Sequence, residues 1–223
     1  MRERAAVSSR DPMPSKKPTK RTDSRRRTPV GRMDTRDRIL NAGRHLFWER
    51  GYSATGLADI LQRAKARSGS FYHFFKSKED LLHAVLDMYV EALHPVIIEP
   101  ATRAGADGIS RVFAILDGYR RALLETNCTY GCPIGRLALE IEPANAPAMD
   151  LIAKNLTGWT TAVEALLLQD RKRFRRDTNF AELSQLVLTV MEGGVMQARA
   201  RRDIEPFDAS VRQLRHYVTL LTA

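Results

Sequence analysis

TGLADILQRAKARSGSFYHFFKSKEDLL, residues 55–82, contains two short helical patterns separated by a break and followed by the start of a third. Leu57, Ile60, Leu61 and Ala64 recur at helical spacing, so Gly56 to about Lys65 forms a short helix with one buried face. Arg67, Ser68, Gly69 and Ser70 break that pattern, and Ser68 or Ser70 is suited to cap the next helix, because a hydroxyl accepts from the exposed amides of the following turn. A second helix of barely two turns spans residues 68–75. Ser77 then caps a third, with Glu79 and Asp80 in the first turn, where the helix dipole favours negative charge and Asp80 stands at capping-box distance. Helix, tight turn, helix is the layout that puts a second helix into a major groove. Three ordinary helices of an α-helical protein share that spacing, so the residue types decide. Ser68, Ser70, Tyr72 and His73 are small or hydrogen-bonding groups able to reach phosphates or base edges, while Phe71, Phe74 and Phe75 alternate with them as anchors.

The wider stretch TRDRILNAGRHLFWERGYSATGLADILQRAKARSGSFYHFFKSKEDLLHAVL, residues 35–86, resembles the N-terminal domain of the TetR family of bacterial transcriptional regulators. The resemblance covers about a quarter of the chain and is carried by FWERGY, by Thr55 opening the second helix, by GSFYHFF and by SKEDLL. It implies that Thr55, Tyr72, His73 and Lys78 contact phosphates and that Ser68 and Ser70 face bases. Lys65 stands where such proteins usually have the turn glycine, and Arg67 where a capping Ser, Thr or Pro is common. An adjusted turn, with Arg67 adding a DNA contact of its own, is the expectation.

The chain has 223 residues, 43% of them hydrophobic, enough apolar material for a folded core in one or two domains. Its formal net charge of +10 points to a polyanionic partner. Residues 1–33 carry eleven Lys and Arg against three acids, so the basic character is mostly a tail. With prolines at 12, 14, 18 and 29 and no apolar periodicity, this tail reads as a disordered arm, either a nonspecific DNA contact or a solvated extension. A third reading starts translation at Met33. No secretory signal and no membrane-spanning apolar run is legible, so a cytoplasmic protein with no membrane partner is expected.

The helix from residue 35 buries Ile39, Leu40, Leu46 and Phe47 and stops at Gly51. A DNA-binding domain is expected over residues 34–80. The helix from Ser77 carries Leu81, Leu82, Val85, Leu86, Tyr89 and Val90 on one face and should end at Pro95, with residues 100–108 as a loop. Residues 81–223 read as a ligand-binding and dimerisation domain. Val112, Phe113, Leu116, Tyr119 and Leu123 mark one amphipathic helix; CTYGCPIGRLALEI predicts an interrupted element around Cys132; and a long helix should run from about 148 to 173. Its RKRFRR end reads as a solvated, cationic last turn rather than a second DNA site. The last two helices carry stripes suited to pairing. Leu183, Leu186, Val187, Val190 and Gly194 on one, with Val211, Leu214, Val218 and Leu221 on the other, are the expected homodimer interface, two-fold through four helices.

No phosphate-binding glycine loop, nucleophile elbow, HExxH pair or zinc-ligand spacing occurs, so neither an enzyme, a metal site nor a cofactor is expected. The fold expectation is all-α: a three-helix helix-turn-helix unit followed by a helical ligand-binding and dimerisation domain. The family resemblance implies a repressor that holds a pseudo-palindromic site in double-stranded DNA and is released by a small-molecule inducer. Phe113, Tyr119, Cys132, Met149, Trp159 and Met191 are the candidate pocket residues, although residues at such helical spacing more often belong to a plain core. Cys128 and Cys132, the only cysteines, are either small apolar fillers or, by resemblance of GCPIGRLALEI to thiol-sensing members of the family, an electrophile or redox sensor centred on Cys132. In that reading the amides after Pro133 and Arg136 stabilise a thiolate. A helical small-molecule binder that leaves DNA alone is the alternative from another class.

Overall fold

The computed structural model describes residues 34–222, and every regular element among them is a helix. The basic arm, with the choice among its readings, lies outside the described residues. Helix α1 (Thr35–Arg50) starts at Asp34, whose carboxylate accepts from the Thr35 amide, and stops at Gly51, where φ is 92°. Helix α2 (Leu57–Ala64) closes on Lys65, held in the left-handed region at φ 49°, so a lysine takes the conformation usually given to glycine. Helix α3 (Ser68–Phe74) has Arg67 at its N-cap with no side-chain cap, so neither Ser68 nor Ser70 caps it; both sit in the first turn. Phe71 and Phe75 are buried and pin α3 down, about 2 kcal/mol each by transfer. Helix α4 (Lys78–Ala92) has the Ser77 cap that its sequence predicts, Ser77 Oγ accepting from the Asp80 amide, but not the capping box, since the Asp80 carboxylate accepts from the Lys76 amide instead of that of Ser77.

Pro95 does not end that helix. The chain widens into a π-helical segment, Leu93–Ile98, and continues as α5 (Glu99–Ala104). The wider turn accommodates a ring that lacks an N–H and would crowd a normal helical turn. The continuous run Lys78–Ala104 is long and apolar enough by composition to cross a membrane, but its Leu81, Leu82, Val85, Leu86, Ile98 and Ala101 are buried inside the protein.

Helix α6 (Gly108–Glu125) is capped by Asp107, which accepts from the Ser110 amide and from Arg173 Nη1 at 2.6 Å. These bonds hold the Asp107 carboxyl down to about 2. A carboxyl depressed in the folded state stabilises the fold above its unfolded value and loses that contribution as pH falls through the folded value. The melting-temperature advantage of wild type over Asp107→Asn should therefore shrink between about pH 4 and pH 2; an advantage independent of pH would show that the charge is idle.

After left-handed Asn127 and Cys128 the chain forms α7 (Pro133–Glu140), then α8 (Ala146–Gln169), a 3-10 turn (Arg171–Arg173), α9 (Phe180–Arg201) and α10 (Glu205–Leu221). The basic run thus lies beyond α8, with Arg173 spent on Asp107. Two hydrophobic cores result. One gathers α1–α4 and does not stop at residue 80, because Ile134, Leu137, Ile141, Ala148 and Ile152 belong to it; the other gathers α5, α6, the rest of α8, α9 and α10. Cys132 and Leu156 pack against both and stand at the seam.

The terminal stripes divide. Leu183, Val187, Gly194, Leu214 and Val218 are buried within the single chain, so they hold α9 to α10 instead of facing outward. Gly194 permits that approach, since a Cβ there would lie 3.0 Å from the Phe207 ring. Val190, Val211 and Leu221 are half-buried, and Leu186 is exposed.

Candidate nucleic-acid interface and seam cavity

Helix α3 presents Arg67, Ser68, Tyr72 and His73 to solvent, with Ser70 half-buried beside them; Tyr72 is 58% exposed. The Arg67 side chain makes no ion pair or hydrogen bond with the described residues. Exposed Lys65 and Lys76 flank the helix, and Arg36 stacks on Phe75 at 5.5 Å. Neither Lys76 nor Arg36 stood out in the sequence, because single charges on an amphipathic helix carry no pattern.

Thr55 and Lys78 face the other way. The Thr55 hydroxyl is buried and donates to Gly51 O at 2.6 Å, while Lys78 Nζ donates to Tyr52 O and Thr55 O and lies 4.2 Å from the Tyr52 ring centroid. Both polar heads close the α1–α2 turn, and burial pushes the Lys78 amine down. Their inward hydrogen bonds make them positioning residues for α3 and leave the outward surface to the residues above.

The cavity, of about 480 Å³, lies at the seam of the two cores. Tyr119, Cys132, Trp159 and Met191 line it, as expected from sequence. Phe113 and Met149 do not: Phe113 is core beneath the Arg215 guanidinium, 3.9 Å from its ring centroid, and Met149 packs against the core of α1–α4. Asn41 and Arg44 of α1, Tyr89 of α4 and Glu192 of α9 line the cavity too, none of them among the residues expected from sequence. Asn41, Arg44 and Trp48 recur at three and four along α1, a second face beside its buried stripe, and that spacing was the available signal. Asn155, also in the wall, is satisfied by donating to Leu86 O and Leu151 O, and so ties α8 to α4. Trp159 Nε1 and Glu192 Oε1 are buried without a hydrogen-bond partner.

Cys132 is not a poised thiolate. The amides of Ile134 and Gly135 favour its anion, but burial and the Glu192 carboxylate outweigh them and push the thiol up. Arg136, expected beside the sulfur, is engaged elsewhere: Nε donates to Glu140 at 2.7 Å and Nη1 to the carbonyls of Trp48 and Glu49. Glu140 in turn accepts from the Tyr52 amide at 2.7 Å, and Trp48 Nε1 donates to Gly131 O at 2.7 Å. Helix α7 and its preceding loop are thus clasped to the end of α1. Cys128 is buried, and its thiol too is pushed up by burial and by Asp203 and Asp208.

Residues 39–85 match the family described as bacterial regulatory proteins, tetR family, and residues 109–213 the family described as transcriptional regulator LmrA/YxaF-like, C-terminal domain. An uncharacterized HTH-type transcriptional regulator of Mycobacterium tuberculosis is 31% identical over 187 residues, covering 81% of this chain and 92% of that protein. The HTH-type transcriptional repressor NemR of Escherichia coli is 25% identical over 83% of this chain and 94% of its own length. The crystal structure of reduced NemR aligns with a TM-score of 0.72 at 24% identity, covering 82% of this chain and 96% of that one. A CifR cysteine mutant, solved with 26-bp double-strand operator DNA, aligns with a TM-score of 0.71 at 23% identity, covering 82% and 97%. These relatives are transcriptional regulators, not enzymes.

Proposed function

Because the chain belongs to the TetR family of bacterial transcriptional regulators, we propose that it is a cytoplasmic repressor that binds a pseudo-palindromic operator as a homodimer and releases it when a small molecule fills the seam cavity. One observation carries this reading: the cavity wall includes Asn41 and Arg44 from α1 and Tyr89 from α4, so an occupant touches the unit that carries α3. A ligand shifts such an equilibrium only as far as it prefers one conformer, and here the preferred conformer is the one whose two α3 helices depart from the spacing of successive major grooves, about 34 Å. NemR, named a repressor, supports the sign of regulation, and the CifR complex supports operator DNA as partner. The two-fold contact is assigned to the outer face of α9 and α10, where Leu186, Val190 and Tyr217 border one groove.

A gel shift on the DNA upstream of its own reading frame, at several salt concentrations, tests the reading. Arg67→Ala should flatten the log-log salt slope by about 0.9 for each phosphate that the arginine no longer neutralises. Tyr72→Phe should weaken binding to all sites with sequence preference retained, as expected of a phosphate contact. No shift at any salt would leave a helical small-molecule binder instead. A thiol switch keeps one support, the place of Cys132 in the cavity wall beside the clasped helix α7. DNA release by peroxide or a mild electrophile from wild type but not from Cys132→Ser would favour it; equal release from both would remove it.

A further inference from the structure

We propose that the seam cavity takes an apolar carboxylate, with Arg44 as its charge partner. The inference rests on the ligand-responsive reading and names the class of ligand. Arg44 is half-buried and lines the cavity from α1. Its Nη2 donates to His45 Nε2 at 2.8 Å, so the imidazole accepts there and is neutral, in keeping with burial and the neighbouring Arg44 and Arg63 pushing His45 down. The Tyr89 hydroxyl also interacts with Arg44 and is itself neutral, since burial pushes that phenol up to about 12. No carboxylate of the described residues stands within ion-pairing distance of Arg44. A guanidinium at the wall of an apolar cavity with only neutral partners is an uncompensated charge, and a planar fork of N–H donors fits a carboxylate in two parallel bonds.

The independent observation is on the α8 part of the wall. Trp159 is 5% exposed, and its Nε1 makes no full hydrogen bond, its interaction with the Tyr119 phenol being too long for one, so the cavity offers a second donor that an occupant can engage. The indole N–H favours ionised Tyr119, whose phenol burial nonetheless holds neutral. Glu192 is the acidic wall residue; burial pushes its carboxyl up, toward the uncharged form, and it interacts with the Cys132 thiol. Between these groups Leu93, Val96, Ile97, Leu156 and Leu188 supply apolar wall. The occupant that uses what is idle is therefore an apolar body with one carboxylate at Arg44 and an acceptor within reach of Trp159. Because Arg44 belongs to α1, such an anion pulls directly on the helix that supports the DNA-reading unit.

Three near-isosteric probes test the assignment on the full chain: 2-naphthoate, 2-naphthylmethanol and 2-naphthylmethylammonium, followed by tryptophan fluorescence and calorimetry. The expected result is naphthoate binding roughly 10- to 100-fold tighter than the alcohol, the gain of a charge-assisted bond pair. That preference should vanish in Arg44→Met and largely return in Arg44→Lys, whose rescue separates lost charge from lost folding. Equal binding of the alcohol, tighter binding of the ammonium, binding of none, or an anion preference that survives Arg44→Met overturns it. Operator release is scored separately. Release by a neutral molecule without anion preference retains the ligand-responsive reading and sinks this one; Arg44-dependent naphthoate binding without release does the reverse.

Discussion

Replacing Gly51 with alanine is expected to lower the melting temperature by roughly 10 °C, assembled from two costs. At φ 92° and ψ 165° Gly51 occupies a region almost reserved for glycine, worth about 1–3 kcal/mol for an L side chain. The added Cβ would also fall 2.1 Å from Glu140 Oε1, so the carboxylate must withdraw from the Tyr52 amide and disturb its pair with Arg136, about 1–3 kcal/mol more. A chain of this size loses about 2–4 °C per kcal/mol. Circular dichroism melts check this, with Gly69→Ala as the control, because a Cβ there meets nothing within 4 Å. Adding Glu140→Ala to Gly51→Ala should cost less than Glu140→Ala costs in wild type. Additive losses would mean that α7 is not clasped through that turn.

The second large effect is on assembly. If the proposed homodimer forms through α9 and α10, Leu186→Glu combined with Leu220→Glu should convert it to monomers and reduce affinity for the proposed operator at least about 100-fold, because a single α3 reads only half a site. Leu186 is 39% and Leu220 54% exposed in the single chain, and Tyr217, between them on the α10 side, is 45% exposed. Burying each leucine against a partner is worth about 1.5–3 kcal/mol, and two-fold symmetry counts every substitution twice. Leu214→Ala is the contrast. Leu214 is 3% exposed, so its loss should appear as about 2–5 kcal/mol of stability rather than as dissociation. Sedimentation velocity beside the gel shift checks both. A double variant that stays dimeric and holds DNA would place the interface elsewhere.

The helix-turn-helix was legible because most signals in residues 55–82 agreed: apolar spacing, the Ser77 cap, acids in the first turn and aromatic anchors outweighed Lys65 and Arg67 at the turn. The α3 residues that face solvent were legible for the same reason. Thr55 and Lys78 were assigned outward by resemblance, and a hydroxyl or amine in sequence does not show whether a carbonyl waits inside; here Gly51, Tyr52 and Thr55 supply the carbonyls. The terminal stripes mark helix-pairing faces, yet a stripe does not say whether its partner is the next helix or another molecule, and Leu183, Val187, Gly194, Leu214 and Val218 pair within the chain. Arg44 and Glu192 escaped because a cavity wall drawn from α1, α4, α8 and α9 has no contiguous signature; its residues meet only after both cores have formed.

The π turn at Leu93–Ile98 has a counterpart in how such chains diverge. Continued at regular pitch, the stripe that buries Leu82 and Leu86 and half-buries Tyr89 and Leu93 would next cover Val96 and Pro100, but Val96 is 63% exposed while Ile98 and Ala101 are buried. The buried phase has moved forward, from Val96 to Ile98 and from Pro100 to Ala101, as it does when a residue is inserted into a helix and the widened turn absorbs it in place. A relative one residue shorter between 93 and 98 can run straight through and still set the same two side chains against α6. Alignments of this region should therefore carry a single-residue gap that leaves the core unchanged and alters only the cavity wall contributed by Val96 and Ile97.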